Sequence, residues 1–305
     1  MNQPKTFVIV NPVASNGKVG RQWPCTADGL LAAGLQFEAV HTERPLHATQ
    51  LAREAMKAGY RHIVAVGGDG TLNEVVNGLV DDGQVNPEVV LSLIPSGTGA
   101  DFRKTVGIPH TTEGAIACAC GTGERVIDLG EMVYMRGGQQ ERRYFANVAG
   151  LGFDGEVWER VNPSTKILGG TIPYLVGLFA TLVSYQNKEA EVQLDGAHLH
   201  QRVNSIVVCN GRYFGGGMYV GPNAVLDDGM FDVIVIGDVS KAELIANLPR
   251  IYRGTHLTHP KVDAYRSKEV TVTSRERMLL QAEGELIGET PVSFRVIPRA
   301  LRVKV

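Results

Sequence analysis

The chain has 305 residues, of which 44% are hydrophobic and 20% are charged, and its net charge is −2. This length suits two domains better than one, and this composition supports ordinary hydrophobic cores. The small net charge excludes a globally basic surface of the kind that binds nucleic acid through its phosphates. The four cysteines show no Cys-x-x-Cys spacing. We therefore interpret them as small buried residues in a reducing compartment.

Two apolar segments bear on where the protein acts. The N-terminal sequence MNQPKTFVIVNP has an apolar run too short for a signal peptide, which favours a cytoplasmic protein. Ile167–Asn187 carries no charge and approaches the length of a membrane span. Pro173 and the pair Gly169-Gly170 weaken that interpretation, and apolar residues recur at helical spacing. We predict a packed helix here, and a helix bordering a lipid-accepting groove is the alternative.

The first part of the chain alternates strands and helices, which predicts a parallel sheet covered by helices. Ligands of such sheets bind at the carboxyl ends of the strands. Three loops rich in Gly, Asn and Ser follow strands in this way: Asn11–Gly20, Gly67–Thr71 and Ser96–Asp101. The predicted strands are Thr6–Val10, Phe37–His41, His62–Val66 and Leu91–Ile94, and the predicted helices are His47–Ala58 and one that begins at Leu72.

After about Val126 the pattern changes to short strands separated by turn signals. The turns are Gly137-Gly138, Asp195-Gly196 and Asp228-Gly229, and the segments Val270–Thr273 and Met278–Gln281 suggest another hairpin. We therefore predict an α/β domain over residues 1–126, on which the C-terminal tail could pack back. A β-rich domain would follow over residues 127–305.

The sequence VGGDGTLNE predicts an anion site at the start of a helix. Gly67, Gly68 and Gly70 let the backbone turn sharply and approach a ligand closely. Thr71 and Glu74 have the spacing of a capping box, and a helix start offers N–H groups that suit a phosphate. Asp69 would repel that phosphate, which predicts a divalent cation between them, most simply Mg²⁺. A plain strand-to-helix turn is the alternative.

Two neighbouring loops could add contacts to the same ligand. IPSGTGADF places Ser96, Thr98 and Asp101 after the fourth strand, with hydroxyl groups and a second carboxylate. NPVASNGKVG resembles a P-loop, but Val19 stands where Ser or Thr should follow the lysine. Lys18 is therefore a candidate phosphate contact, and a solvated surface lysine is the alternative.

The order of several motifs resembles the diacylglycerol kinase catalytic-domain family. It is most similar to bacterial lipid kinases that are related to sphingosine and ceramide kinases. The resemblance covers nearly the whole chain, although GGDGT is shared with NAD kinases and phosphofructokinases. The motifs are VNPVASNGKVG, GGDGTLNEVVNGL, IPSGTGADF, NVAGLGFDGEV, FGGGMYVGPNAVLDDGMFDVIVI and EGELIGETPVSFRVIPRALRV.

The resemblance implies a nucleotide-binding α/β domain like that of NAD kinase and phosphofructokinase, followed by a β-sandwich domain for the lipid substrate. It also implies which residues bind ATP and a structural Mg²⁺. The metal ligands would be the side chain of Asp228 and the carbonyl groups of Val225 and Met230. The ATP-binding residues would be Thr42, Gly67, Gly68, Asp69, Gly70, Thr71, Leu72, Asn73 and Thr98.

The resemblance assigns the catalytic base to Glu283, in the sequence AEGE. A carboxylate can take the proton of a lipid hydroxyl as the γ-phosphoryl group moves. A hairpin turn in which Glu283 and Glu285 face solvent is the alternative. One departure is Ala100, where many family members have asparagine.

These observations predict an ATP-dependent lipid kinase. Its substrate would be diacylglycerol, phosphatidylglycerol or a sphingoid base, met by transient contact with the inner face of the membrane. Asp69 with Mg²⁺ would neutralise charge on the transferring group, and Glu283 would act as the base. Two alternatives remain: a kinase of a soluble metabolite, like NAD kinase, or a catalytically silent nucleotide-binding lipid sensor.

Overall fold

The computed structural model describes residues 6–96, 100–160, 182 and 184–305. The chain divides into two compact units. The first unit contains Met1–Leu129, Leu226–Asp228 and Ile297–Val305, and the second contains Gly130–Val225 and Gly229–Val296. Thr98 and most of the predicted helix at 167–187 lie outside the described residues.

The described residues form seventeen strands and seven α-helices. The strands are β1 Thr6–Val10, β2 Phe37–His41, β3 His62–Gly67, β4 Val80–Asp81, β5 Gln84–Val85, β6 Val90–Pro95, β7 Glu124–Arg136, β8 Gln139–Phe145, β9 Val148–Gly152, β10 Lys188–Leu194, β11 His198–Val203, β12 Ser205–Cys209, β13 Phe231–Ile236, β14 Val262–Ser267, β15 Glu269–Thr273, β16 Leu279–Ala282 and β17 Glu285–Lys304. The helices are α1 Ala14–Ala32, α2 His47–Lys57, α3 Asp69–Leu79, α4 Asp101–Val106, α5 Thr112–Cys120, α6 Phe153–Arg160 and α7 Lys241–Arg253. A short 3₁₀ helix spans His256–Thr258.

A parallel sheet forms the core of the first unit, in the order β17-β6-β3-β1-β2. Only the last residues of β17 belong to it. Every residue of β1 is buried, and so is nearly all of β3 and β6. Continuous apolar runs of this kind are expected of strands that are covered on both faces. The predicted α/β fold is confirmed.

The helices of the first unit differ from the prediction in two places. Helix α3 begins at Asp69, before the predicted start at Leu72. The predicted loop Asn11–Gly20 is helical from Ala14, with a kink at which Ser15–Gly17 have left-handed backbone conformations. Both shifts bring helical backbone closer to the carboxyl ends of the strands.

The second unit is a β-sandwich, as predicted. One layer has the order β14-β13-β12-β9-β16-β17, and the other pairs β11 with β10, β10 with β15, and β15 with β17. Buried side chains of both layers form one apolar core, which includes Phe145, Phe231 and Phe294. The predicted hairpin between Val270–Thr273 and Met278–Gln281 is wrong. Strand β15 pairs with β10 and β17, whereas β16 pairs with β9 and β17.

Helix α7 covers the outer face of the first layer. A capping box of Ser240 and Glu243 begins it, and Gly254 ends it in a left-handed conformation. Leu244 packs against a second apolar cluster that contains Val207 and Ile234. Among the described residues, no helix has the length and apolarity that crossing a membrane requires.

Candidate active site

The glycine-rich turn joins β3 directly to α3. A Cβ atom on Gly67 would lie 2.5 Å from Thr71 Oγ1, so no larger residue fits at this bend without a rearrangement. Gly68 is the N-cap residue, and the first helical hydrogen bond runs from Leu72 N–H to the Gly68 carbonyl oxygen, over 3.1 Å. The N–H groups of residues 69–71 therefore have no partner within the helix, and groups of this kind are suited to an anion.

Burial divides the predicted ATP-binding residues of this turn into two groups. Gly68, Asp69 and Gly70 are partly exposed, whereas Thr71, Leu72 and Asn73 are buried. The buried residues pack α3 against the rest of the first unit. A ligand can therefore contact the backbone at 68–70 more readily than the side chains at 71–73.

The predicted capping box of Thr71 and Glu74 is wrong, because α3 begins two residues before Thr71. Thr71 Oγ1 instead accepts a hydrogen bond from Asn11 Nδ2, at 2.9 Å. The Glu74 carboxylate accepts the N–H groups of Leu46 and Ala48, both at 3.0 Å, and so caps helix α2. These bonds attach the turn to the residue that follows β1, and they join α3 to its neighbouring helix α2.

The carboxylate of Asp69 holds the start of α4. Its Oδ2 accepts the N–H of Asp101 at 3.0 Å, and its Oδ1 accepts that of Phe102 at 3.3 Å. Burial raises the pKa of Asp69, although the hydrogen bonds from the N–H groups of Asp101 and Phe102 oppose that rise. Asp101 in turn accepts a hydrogen bond from Lys104 Nζ at 2.8 Å. Both oxygens of Asp69 are thus engaged with the protein's own backbone.

A cavity of about 540 Å³ lies beside the carboxyl ends of β3 and β6. Among the described residues, its lining includes Lys18, Arg103 and His110, which are suited to an anionic ligand. Ser15 Oγ donates to the Ser96 carbonyl oxygen at 2.8 Å and joins two of its walls. A cavity of this size is within the range that accommodates a nucleotide.

Thr42 follows β2, where its N–H donates to the carbonyl oxygen of Val10 at 2.8 Å. It therefore lies at the same edge of the sheet as the glycine-rich turn. Its contact with a nucleotide stays a prediction.

The predicted structural Mg²⁺ ligands lie around the turn before β13. Val225 and Met230 belong to the second unit and Asp228 to the first, where it is exposed. The preceding residues are anchored to β7: Asp128 N–H donates to the Leu226 carbonyl oxygen at 2.6 Å. In the described part of the chain, no group of three or more His, Cys, Asp or Glu side chains could hold a metal ion. One exposed carboxylate with backbone carbonyls is a sparse ligand set, and this assignment stays a prediction.

Glu283 lies in the two-residue turn between β16 and β17. Glu283 and Gly284 both have positive φ angles, of 53° and 77°, as a type I′ hairpin turn requires. Glu283 is partly buried, and its Oε1 accepts the N–H groups of Ala146 at 3.0 Å and Asn147 at 2.7 Å. The alternative of a turn with Glu283 facing solvent is therefore wrong, because this side chain points back onto the chain.

The residues that hold Glu283 were not predicted as site residues. Ala146 and Asn147 are fixed by hydrogen bonds of their own: Asn210 Nδ2 donates to the Ala146 carbonyl oxygen, and Asn147 Nδ2 donates to that of Tyr213, both at 2.7 Å. Asn11 and Ser15 were missed in the first unit. The motifs FANVAGLG and VNPVAS contain these four residues, and their asparagines could have drawn attention to them.

Comparisons with known proteins agree over both units. Residues 5–132 match the family described as the diacylglycerol kinase catalytic domain. Residues 147–305 match the YegS C-terminal NAD kinase beta sandwich-like domain. A diacylglycerol kinase of Staphylococcus haemolyticus is 30% identical over 97% of this chain and 86% of its own length. One of Staphylococcus carnosus is 29% identical over 97% and 93%.

Two crystal structures of proteins from Bacillus anthracis have the same fold. One has a TM-score of 0.79 at 23% identity, and it covers 99% of this chain and 95% of that chain. The other is described as a diacylglycerol kinase and has a TM-score of 0.73 at 20% identity, with coverages of 100% and 97%. At these identities the likeness shows the fold alone.

Proposed function

The chain belongs to the diacylglycerol kinase family, and we propose that it transfers the γ-phosphoryl group of ATP to a hydroxyl group of a membrane lipid. Diacylglycerol is the first candidate substrate, since the Staphylococcus relatives carry that name. The start of α3 carries the proposal, because the N–H groups of residues 69–71 have no partner within the helix and Gly68 and Gly70 place no side chain beside them. The two alternative functions find no support among these relatives.

In the proposed reaction, the first unit binds the triphosphate. The N–H groups at the start of α3 donate hydrogen bonds to the phosphates, and Lys18, which lines the neighbouring cavity, supplies positive charge. Thr42 and Thr98 are further proposed nucleotide contacts, from the resemblance described above.

Magnesium enters the proposal as a counter-ion of ATP, because Mg²⁺ in kinases is held largely by phosphate oxygens and water. When bound there, it neutralises charge on the transferring group. Each oxygen of Asp69 already accepts one backbone N–H group. We therefore assign Asp69 first to the positioning of Asp101 and Phe102, and a contact with the ion through its remaining lone pairs is the alternative.

The proposed base is Glu283. Two backbone N–H groups fix one of its oxygens, which orients the carboxylate without neutralising it. Such a carboxylate can accept the proton of the lipid hydroxyl as the bond to phosphorus forms. We propose that the protein acts in the cytoplasm and meets its substrate by peripheral contact with the inner face of the membrane.

Product identification tests this function. Purified protein is incubated with ATP, Mg²⁺ and, separately, diacylglycerol, phosphatidylglycerol, a sphingoid base, NAD⁺ and a sugar phosphate, and products are identified by mass spectrometry. We expect a phosphorylated lipid and no phosphorylated soluble metabolite. Phosphorylation of NAD⁺ alone, or ATP binding without any product, would overturn the proposal in favour of one of the two alternatives.

A further inference from the structure

Helix α7 turns an apolar face outward. Its thirteen residues include none that is fully buried. Its inner side is formed by partly buried residues, of which Leu244 packs against the unit. Ile245, Leu248 and Tyr252 lie on the outer side, where 51%, 36% and 50% of their surfaces are exposed. Their spacing of three and four residues places them along one stripe of the helix.

This stripe concentrates apolar surface that is scattered elsewhere. Among the residues that the structure describes, seven large hydrophobic side chains are exposed, and three of them are those of α7. Single exposed apolar residues are ordinary, whereas a cluster on one well-capped helix indicates a partner or a membrane. The helix is held by caps at both ends, so the cluster is not a result of fraying.

The charges on α7 favour an anionic partner. Lys241 and Arg253 are exposed at opposite ends of the apolar stripe, and Arg250 adds a third cation. Glu243 is the one acid of the helix. It is partly buried and forms an ion pair with Lys261 at 2.9 Å, so it does not offset the cations on the outer face.

We infer that the outer face of α7 lies on the surface of a bilayer that contains anionic lipids. An amphipathic helix with an apolar stripe, an aromatic side chain and flanking cations lies in the membrane interface in this way. Ile245, Leu248 and Tyr252 enter the boundary between headgroups and acyl chains, while Lys241 and Arg253 contact the lipid phosphates. This inference rests on the proposed function, because a kinase whose substrate is a membrane lipid must reach the bilayer.

Vesicle sedimentation tests the inference with the whole protein. Vesicles of pure phosphatidylcholine are compared with vesicles of equal parts phosphatidylcholine and phosphatidylglycerol. The wild type should bind the anionic vesicles more tightly. The triple variant Ile245→Gln, Leu248→Gln, Tyr252→Gln should bind them at least about tenfold more weakly. The reason is that three apolar side chains are no longer transferred from water into the membrane. The double variant Lys241→Gln, Arg253→Gln should lose the preference for phosphatidylglycerol.

The control variants separate a local effect from a general one. Leu31 is 57% exposed on α1, so Leu31→Gln removes a similar apolar side chain from another surface. Lys57→Gln removes an exposed cation from the end of α2. Both should bind vesicles like the wild type. Thermal unfolding should be nearly unchanged in all variants, since every substituted side chain is exposed and glutamine favours helix.

Kinase assays distinguish failure of this inference from failure of the proposed function. With a short-chain diacylglycerol dispersed in detergent, the triple variant should match the wild type, whereas with diacylglycerol in anionic vesicles it should be slower. A wild type that phosphorylates no lipid in either assay contradicts the proposed function. An active wild type whose triple variant binds anionic vesicles equally well contradicts the role of α7. Loss of a wild-type dimer in the triple variant, with vesicle binding unchanged, would show that a second copy covers this face.

Discussion

The two acidic turns of the molecule use their carboxylates in different ways. Asp69 in the first unit and Glu283 in the second each accept two backbone N–H groups. Asp69 uses one oxygen for each N–H, and both bonds define where α4 begins. Glu283 directs both bonds to Oε1. Two backbone hydrogen bonds can thus be spread over both oxygens of a carboxylate or directed to one of them, and the sequence alone does not distinguish these arrangements.

The largest expected effect follows from Glu283→Gln. Glutamine can still accept the N–H groups of Ala146 and Asn147 but cannot take a proton. We expect lipid phosphorylation to fall about 10²- to 10⁴-fold, with thermal stability and ATP affinity unchanged. Steady-state kinetics measure this loss. Glu285→Gln is the matched control in the same hairpin, where Glu285 pairs with Arg143 at 3.0 Å. Equal turnover in the wild type and Glu283→Gln would contradict the role of Glu283.

The carboxylate of Asp154 extends the comparison, because the effect of its burial exceeds that of the hydrogen bonds it accepts. Burial raises its pKa to about 6, although Gln281 Nε2 donates to it at 3.0 Å. Its folded state therefore binds a proton more tightly than its unfolded state. Protonation of Asp154 therefore stabilises the folded state. This stabilisation is fully present below about pH 4 and is lost as the pH rises through about 6.

Asp154→Asn should consequently raise the free energy of unfolding at pH 8 by roughly 1–3 kcal/mol, and the two proteins should converge near pH 4. Urea denaturation at both pH values measures the difference. Asp195→Asn should act in the opposite direction at neutral pH, because hydrogen bonds from Lys268 and Glu269 N–H groups lower the pKa of Asp195. An equal free energy of unfolding for the wild type and Asp154→Asn at pH 8 would show that burial of the charged carboxylate does not destabilise the fold.

Alanine substitutions at two adjacent glycines of the first turn should have different effects, one on stability and the other on ATP affinity. Gly67→Ala places a methyl group against Thr71 and should lower the free energy of unfolding by about 1–3 kcal/mol. Gly68→Ala meets its nearest atom, the Ser96 carbonyl oxygen, at an ordinary 3.7 Å, and its φ of −94° suits alanine. It should keep stability but bind ATP more weakly. Thermal unfolding and calorimetry measure the two effects, and unaltered ATP affinity in Gly68→Ala would count against close backbone approach.

The smallest expected effect is that of Asp69→Asn. An asparagine side chain retains one acceptor oxygen and presents an NH₂ group to the other backbone N–H. We expect a loss of about 0.5–2 kcal/mol in stability, as for other helix-start contacts. Asp81→Asn, at an exposed position, is the control. A variant that keeps full stability but loses only its Mg²⁺ dependence would instead support the direct metal role predicted from the sequence.

Much of the first unit could be predicted because its signals are local. β1 and β2 occupy the predicted residues. β1 is a fully buried apolar run, and β2 is a short, partly exposed strand beside it. The start of α3 was misjudged because Thr71 and Glu74 have the spacing of a local cap. Their partners are Asn11 and helix α2, which are distant in sequence. Tertiary contacts overrode a local pattern there.

The strand pairing of the second unit was harder to predict, because its strands pair with partners that are distant in the sequence. Strand β17 pairs with β16 near its start and with β15 further along, so two neighbouring segments that resembled a hairpin never pair. The predicted turn of Glu283 is present, but its residues alone favoured an exposed turn. Only the resemblance indicated a base, and only the structure shows the backbone of Ala146 and Asn147 that holds it.

We propose above that the start of α3 binds the phosphates of ATP through backbone N–H groups. Amide NMR spectra recorded with and without ATP and Mg²⁺ test this binding most directly. We predict that the amide resonances of Gly68 and Gly70 shift on addition of the nucleotide, while those of Gly137 and Gly138, in a hairpin turn of the second unit, stay in place. Resonances of Gly68 and Gly70 that do not respond in a protein that binds ATP would contradict the account.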